Sequence, residues 1–270
     1  MIPVIYGLAI ANVLTNFPTG ITEVKLLTLL VVFTATSAIS MVTGSTSLVT
    51  VPALMQAGIA APVAIATNMF ALTFLSLGGT LPFLGQGQID RTRIPLLLGL
   101  TLVGSLVGAL LVAALPATTL PTLISLSMLG VIGFSLATGN RGVEPVSHSP
   151  SQTLEVAGYL ATFVLGIYGG FFSGGYVTLL MAVYVACFGQ TFVAAIATSK
   201  VTNLVSSLVA TLVFAWQGLV NYPLGLVLGG GMALGAFCGG HLVLKIGNRW
   251  VRRVFLATVA LLALKMLLAL

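Results

Sequence analysis

Charge is what this chain has least of. Asp, Glu, Lys and Arg make up 5% of its 270 residues, where a soluble globular domain carries roughly a quarter. With 58% hydrophobic residues and a mean hydropathy of +1.17, the chain has more apolar surface than a core of this length can hide, so the excess must face lipid. Acidic residues number four, Glu23, Asp90, Glu144 and Glu155, and the histidines are His148 and His241. Neither histidine stands near a paired carboxylate or a serine motif. Clustered His, Cys, Asp and Glu of metal-ligand spacing are missing too, so no metal, no cofactor and no enzymatic chemistry are expected. Cys187 and Cys238 lie in apolar segments without CxxC spacing and read as small hydrophobes, not as a disulfide.

The formal charge of +6 is no nucleic-acid footprint. Arg91, Arg93, Arg141, Lys245, Arg249, Arg252 and Arg253 sit in short connections between apolar runs, which is the positive-inside pattern that orients membrane helices. The first expected partner is a lipid bilayer. The oligomeric state stays open, homo-oligomers included. The apolar stretch 2–17 has neither a basic start nor a clear cleavage site, so it reads as a retained membrane-embedded or interfacial helix.

What the chain does have is a repeat. Ala64-Ile65-Ala66-Thr67-Asn68 returns as Ala195-Ile196-Ala197-Thr198-Ser199, and 195 − 64 gives a shift of 131 residues. The same shift lays Gly44 on Gly175, Gly58 on Gly189, Asp90 on Asn221, and Gly104 and Gly108 on Gly235 and Gly239, without a gap. Duplicated membrane units of this kind are the mark of many transporter folds, whose substrate sites lie between the copies.

The expected fold is therefore all-α: a polytopic integral membrane protein of two inverted repeats, each of about five helical segments. An N-terminal segment (1–24) precedes the first repeat (25–138), a cytoplasmic linker (139–153) and the second repeat (154–270). Charge, Pro and Gly breaks place helices near 26–43, 45–57, 62–84, 94–115 and 119–138, then 154–172, 175–189, 191–216, 222–243 and 250–270. The segments 45–57 and 175–189 fall short of the ~20 residues a span needs. Each follows a small-residue break, at Gly44-Ser45 or at Gly169-Gly170 and Ser173-Gly174-Gly175, and reads as a half-helix at the centre of the molecule.

Inversion follows from where charge fails to repeat. Loop 85–93 carries Arg91 and Arg93, whereas its counterpart near 217–222 has no basic residue. Segment 244–253 is basic, whereas its counterpart near 113–122 is not. Equivalent loops thus lie on opposite sides of the membrane. Gly104-x3-Gly108 and Gly235-x3-Gly239 suit either tight helix packing or a moving interface between repeats.

Lys200 is the most telling side chain. It stands about ten positions into an apolar span, where a cation costs roughly 2.5–3.5 kcal/mol to insert. The four acidic residues all stand at span ends or in loops, where none can neutralise it, which suits an anionic substrate; a lysine reaching back to the interface is the alternative. Thr67, Asn68, Thr198 and Ser199 offer hydroxyl and amide groups at matched points of both copies, and Asn203 follows one turn later. With Ser45 and the backbone at Gly44, Gly170, Gly174 and Gly175, they form the expected oxyanion site, since helix N-termini add unsatisfied N–H groups.

In the order and duplication of these motifs, over roughly residues 26–270, the chain resembles the sulfite exporter TauE/SafE family. The resemblance rests on Gly44-Ser45 through Pro52-Ala53-Leu54 and Gly58, on Ala64 to Asn68, and on Gly169-Gly170 with Gly174-Gly175. It continues through Ala197-Thr198-Ser199-Lys200, Gln217-Gly218 to Gly239-Gly240, and Arg252-Arg253-Val254-Phe255. It implies a multi-pass inner (plasma) membrane protein exporting sulfite or organosulfonates by alternating access. An anion channel and a membrane scaffold without transport activity are the other readings.

Overall fold

A computed structural model describes residues 21–44, 46–116 and 151–267. Most of the expected N-terminal segment, Ser45, the expected helix 119–138 and most of the linker lie outside the described residues.

Thr22 starts α1 (Glu23–Thr43) by accepting the backbone N–H of Lys25, with Glu23 in the positively polarised first turn. The helix stops at Gly44, whose φ of 76° turns the chain sharply. A short α2 (Ser47–Gln56) follows, then α3 (Ala61–Thr80), which opens on Pro62, and α4 (Ile94–Ala114), which opens on Pro95. The second half begins with α5 (Gln152–Phe171), capped by the Ser151 hydroxyl. Short α6 (Tyr176–Phe188), then α7 (Phe192–Trp216), capped by Thr191, and α8 (Tyr222–Leu267) complete the described elements. No strand occurs among the described residues. The fold is all-helical, as composition requires.

Two boundaries differ from expectation. Residues 81–83, around Pro82, form a 3-10 turn instead of extending α3. The basic run near 244–253 is no loop either: helix continues through it, interrupted only at Gly247 (φ 71°, ψ 174°). One glycine suffices to bend the helix there.

Among the described residues, six helices are long and apolar enough to cross a membrane, by length and composition. Helices α2 and α6, at 10 and 13 residues, reach only about 15 and 20 Å, well short of the ~30 Å hydrocarbon layer. The two halves pack by exchange. Helix α1 lies against α8, while α4 lies against α5, so the first helix of each half meets the fourth of the other. Small residues make both contacts close. A Cβ on Gly104 would stand 2.6 Å from the Phe163 carbonyl oxygen, and one on Gly239 would stand 2.5 Å from the Ala38 oxygen.

Between these pairs, α3 and α7 run antiparallel. Thr67 contacts Asn221, Thr73 faces Thr211, and Ser76 bonds Asn203, so residue numbers rise on one helix as they fall on the other. One end of the bundle gathers the basic segments. Gln190 Nε2 donates to Asp90 Oδ2 at 3.2 Å, and Asn248 Oδ1 accepts from the Val193 N–H at 2.9 Å. Loop 84–93, the α6–α7 connection and the α8 kink therefore share that end.

Candidate functional site

The two chain breaks interlock at the centre. Gly44 ends α1 by donating its N–H to the Ser40 carbonyl at 2.8 Å. In the other half the chain turns through Ser173, a non-glycine at φ 63°, and Gly175, at φ 79°. Thr178, in the first turn of α6, donates its hydroxyl to the Thr43 carbonyl at 2.7 Å. The fit is close enough that a Cβ on Gly44 would stand 2.6 Å from the Thr178 nitrogen. Neither α2 nor α6 has a side-chain cap, whereas Thr22, Ser151 and Thr191 cap three of the longer helices. Uncapped first turns leave backbone N–H groups and the positive end of the helix dipole available to an anion.

A small cavity opens where these breaks meet. Gly44, Thr46 and Ser47 form one side, Ser173 faces them, and Lys200 and Asn203 reach in from α7. Leu72 and Leu75 supply an apolar wall from α3. The space admits about one water molecule.

Lys200 is 1% exposed, which removes the alternative of a lysine reaching the interface. Its ammonium donates to the Ser40 carbonyl at 3.4 Å, in the last turn of α1, where the helix dipole is negative. The ion pairs among the described residues, Arg93 with Asp90 and with Glu155, lie elsewhere. One carbonyl balances a buried cation only in part, since an ammonium carries three donors. Asn203, 2% exposed, donates through Nδ2 to Ser76 Oγ at 2.7 Å, while its Oδ1 has no partner among the described residues.

Asn68 stands behind the cavity. It donates to Ser47 Oγ at 2.9 Å and accepts from Thr50 Oγ1 at 2.7 Å, so it holds the first turn of α2 in place. Thr67 and Thr198 point elsewhere. Thr67 Oγ1 accepts the N–H of Asn221 at 3.0 Å, and Thr198 Oγ1 accepts that of Asp90 at 3.4 Å. Ser199 donates to the Ile196 carbonyl of its own helix at 2.9 Å. Gly170 packs against the Ser105 backbone, and the Gly174 carbonyl accepts from the Tyr168 hydroxyl. Of the residues the sequence nominates, Gly44, Lys200 and Asn203 line the cavity, Asn68 supports it, and Ser45 lies outside the described residues.

Thr46, Ser47 and Ser173 also line the cavity, and the sequence reading does not nominate them. The available signals were the position of Ser173 beside Gly174-Gly175 and the shift that lays Ser47 on Thr178.

At the basic end, Arg93 bridges Asp90 of its own loop, at 2.9 Å, and Glu155 of α5. Burial alone would push the Asp90 carboxyl up; hydrogen bonds from Arg93 and Gln190 outweigh it and hold the group below its ordinary value. Burial likewise opposes the Arg93 charge, and the two carboxylates overcome it, so the guanidinium is held above its usual range. The positions that the shift of 131 lays on or against this cluster are Asn221 for Asp90, Leu224 for Arg93 and Val24 for Glu155. The ionic contact belongs to one end alone.

Comparison with known proteins places these features in a family. The profile of the sulfite exporter TauE/SafE family matches residues 28–266. A probable membrane transporter protein, YfcA, of Escherichia coli K12 is 28% identical over 229 residues, covering 85% of this chain and 84% of its own. A probable membrane transporter protein of Haemophilus influenzae is 27% identical over 216 residues, covering 80% and 84%. One from Sinorhizobium sp, ORF9, is 26% identical over 234 residues, covering 85% and 87%. No solved structure matches the chain.

Proposed function

Since the chain belongs to the sulfite exporter TauE/SafE family, and is thereby a multi-pass membrane transporter, we propose that it exports small sulfur-containing oxyanions, sulfite or an organosulfonate. One observation carries the reading. Lys200 is a buried cation, without a carboxylate among its described contacts, in a cavity built from two uncapped half-helix starts. A tetrahedral or pyramidal oxyanion completes such a site. Its charge balances Lys200, and its oxygens accept from the ammonium, from the Thr46, Ser47 and Ser173 hydroxyls, and from first-turn N–H groups of α2 and α6.

Transport proceeds by alternating access between two inverted repeats. The antiparallel course of α3 and α7, which the shift of 131 lays on each other, supports inversion. With room for about one water, the cavity corresponds to an occluded step, and loading an anion of several heavy atoms requires the halves to part. Positive-inside charge makes the end bearing Arg91, Arg93, Lys245, Arg249 and Arg253 cytoplasmic. An inside-negative potential, worth about 2.3 kcal/mol per charge per 100 mV, then drives an anion outward.

Sulfite efflux from liposomes containing the purified protein tests this. The native chain gives saturable efflux, and Lys200→Ala, folded by its helical circular dichroism, abolishes it. Undiminished efflux in the variant removes Lys200 from the site. A native protein that moves neither sulfite nor any organosulfonate overturns the substrate class.

A further inference from the structure

The transport cycle makes no use of the kink in α8, and its chemistry differs from that of the central cavity. Gly247 breaks the helix at the end of the span Tyr222–Val251, and a cavity of about 420 Å³ opens there. Arg249, Trp250 and Arg253 line it, together with the backbone of Gly247. Trp250 is 58% exposed, and the Arg253 guanidinium stacks over its ring, 5.1 Å from the centroid. The kink is held in place, because the Asn248 side chain caps the start of α7 through the Val193 N–H. Residues 222–270 contain no acidic residue. The cleft is thus cationic, preformed and open to its surroundings.

We propose that this cleft binds the headgroup of an anionic phospholipid of the cytoplasmic leaflet, of the phosphatidylglycerol class. The chemistry fits a phosphodiester: two guanidiniums offer paired donors to phosphate oxygens, and Lys245 stands two positions before the kink. Two observations select a lipid over a free phosphate. First, Leu234, Cys238, Leu242 and Lys245 are all exposed, and their spacing of 4, 4 and 3 sets them on one face of α8. An apolar stripe facing the hydrocarbon thus ends in a cation, which matches acyl chain below and headgroup above. Second, an exposed tryptophan at the end of a span is the residue of the bilayer interface. A soluble anion needs neither. Basic clefts beside membrane helices at this leaflet are where anionic headgroups bind.

The test titrates short-chain phosphatidylglycerol and phosphatidylcholine into the full-length protein in detergent and counts retained lipid by native mass spectrometry. Phosphatidylglycerol is retained and phosphatidylcholine is not. Arg249→Gln with Arg253→Gln weakens retention about thirtyfold, the effect of removing two basic residues from an anionic interface. Trp250→Ala keeps every charge and weakens it about threefold through loss of the stacked guanidinium. Arg91→Gln, at the same end but outside the cleft, leaves it unchanged. Equal retention of both lipids overturns the proposal, as does an equal loss in Arg91→Gln. Displacement by an equal concentration of glycerol 3-phosphate overturns it too, by making the ligand a soluble phosphate. The measurement needs no transported substrate, so its outcome is independent of the export reading.

Discussion

Thr67 and Asn221 are joined across the two halves, the Thr67 hydroxyl accepting the Asn221 N–H at 3.0 Å, and the shift of 131 turns this bond into the one between Thr198 and Asp90. Each repeat thereby holds the loop that follows the third helix of the other. The repeated Ala-Ile-Ala-Thr phrase is a reciprocal brace. Thr67→Val removes the acceptor from a half-buried backbone N–H and costs about 1 kcal/mol. Thr198→Val, at 3.4 Å, costs less. Thermal unfolding in detergent micelles measures both, and a variant as stable as the native chain would show that the bond contributes nothing.

The Asp90–Arg93–Glu155 cluster gives the basic end of the bundle a pH dependence. Because the Asp90 carboxyl is held below its ordinary value of 3.8, its contribution is complete above that value and is lost as pH falls through the lowered one. Unfolding midpoints stay level from about pH 8 to 5 on this account and fall below about pH 4. Arg93→Gln removes the guanidinium's hydrogen bond and charge, so Asp90 moves upward, while the residue-93 N–H and Gln190 still oppose burial. The midpoint of that variant therefore rises less than that of the native chain as pH is raised through the acid range. A native-like profile in Arg93→Gln would contradict the assignment.

Two glycines with positive φ separate strain from crowding. Gly44→Ala forces both, because φ is 76° and the new Cβ stands 2.6 Å from the Thr178 nitrogen, so the two breaks must part. Gly58, at φ 101°, has open space around its missing Cβ, so Gly58→Ala meets backbone strain alone, of about 1–2 kcal/mol. Expression of folded protein, read by size-exclusion chromatography, falls sharply for Gly44→Ala and modestly for Gly58→Ala. Equal behaviour would contradict the interlocked breaks.

Asn68 supports the site without lining it. Asn68→Ala releases Ser47 and Thr50 and loosens the first turn of α2, which raises the KM for the anion about tenfold, the cost of roughly one to two hydrogen bonds. A change in turnover alone, with KM unaltered, would place Asn68 outside the binding site.

Membrane class, the short central helices and Lys200 were legible in the sequence because each rests on a blunt physical cost: apolar surface, span length, a buried cation. The repeat exposed which residues correspond, yet not where their hydroxyls point. Thr67 and Thr198 therefore read as facing partners in one site, when each reaches a loop of the other half. Ser173 reads as part of a small-residue break and not as a lining residue, because a serine at φ 63° is unusual and only the neighbouring glycines hint at the turn. The continuous α8 was hidden by its own charges: a basic run reads as a loop, while helix geometry is lost at Gly247 alone.

Equilibrium binding of radiolabelled sulfite to the purified protein tests the central claim most directly, comparing the native chain with Lys200→Met and Thr198→Val. Lys200→Met keeps the length of the side chain and removes its charge. Saturable binding to the native chain and to Thr198→Val, absent in folded Lys200→Met, is the result the account predicts. Sulfite binding that survives in Lys200→Met would contradict an anion site centred on Lys200.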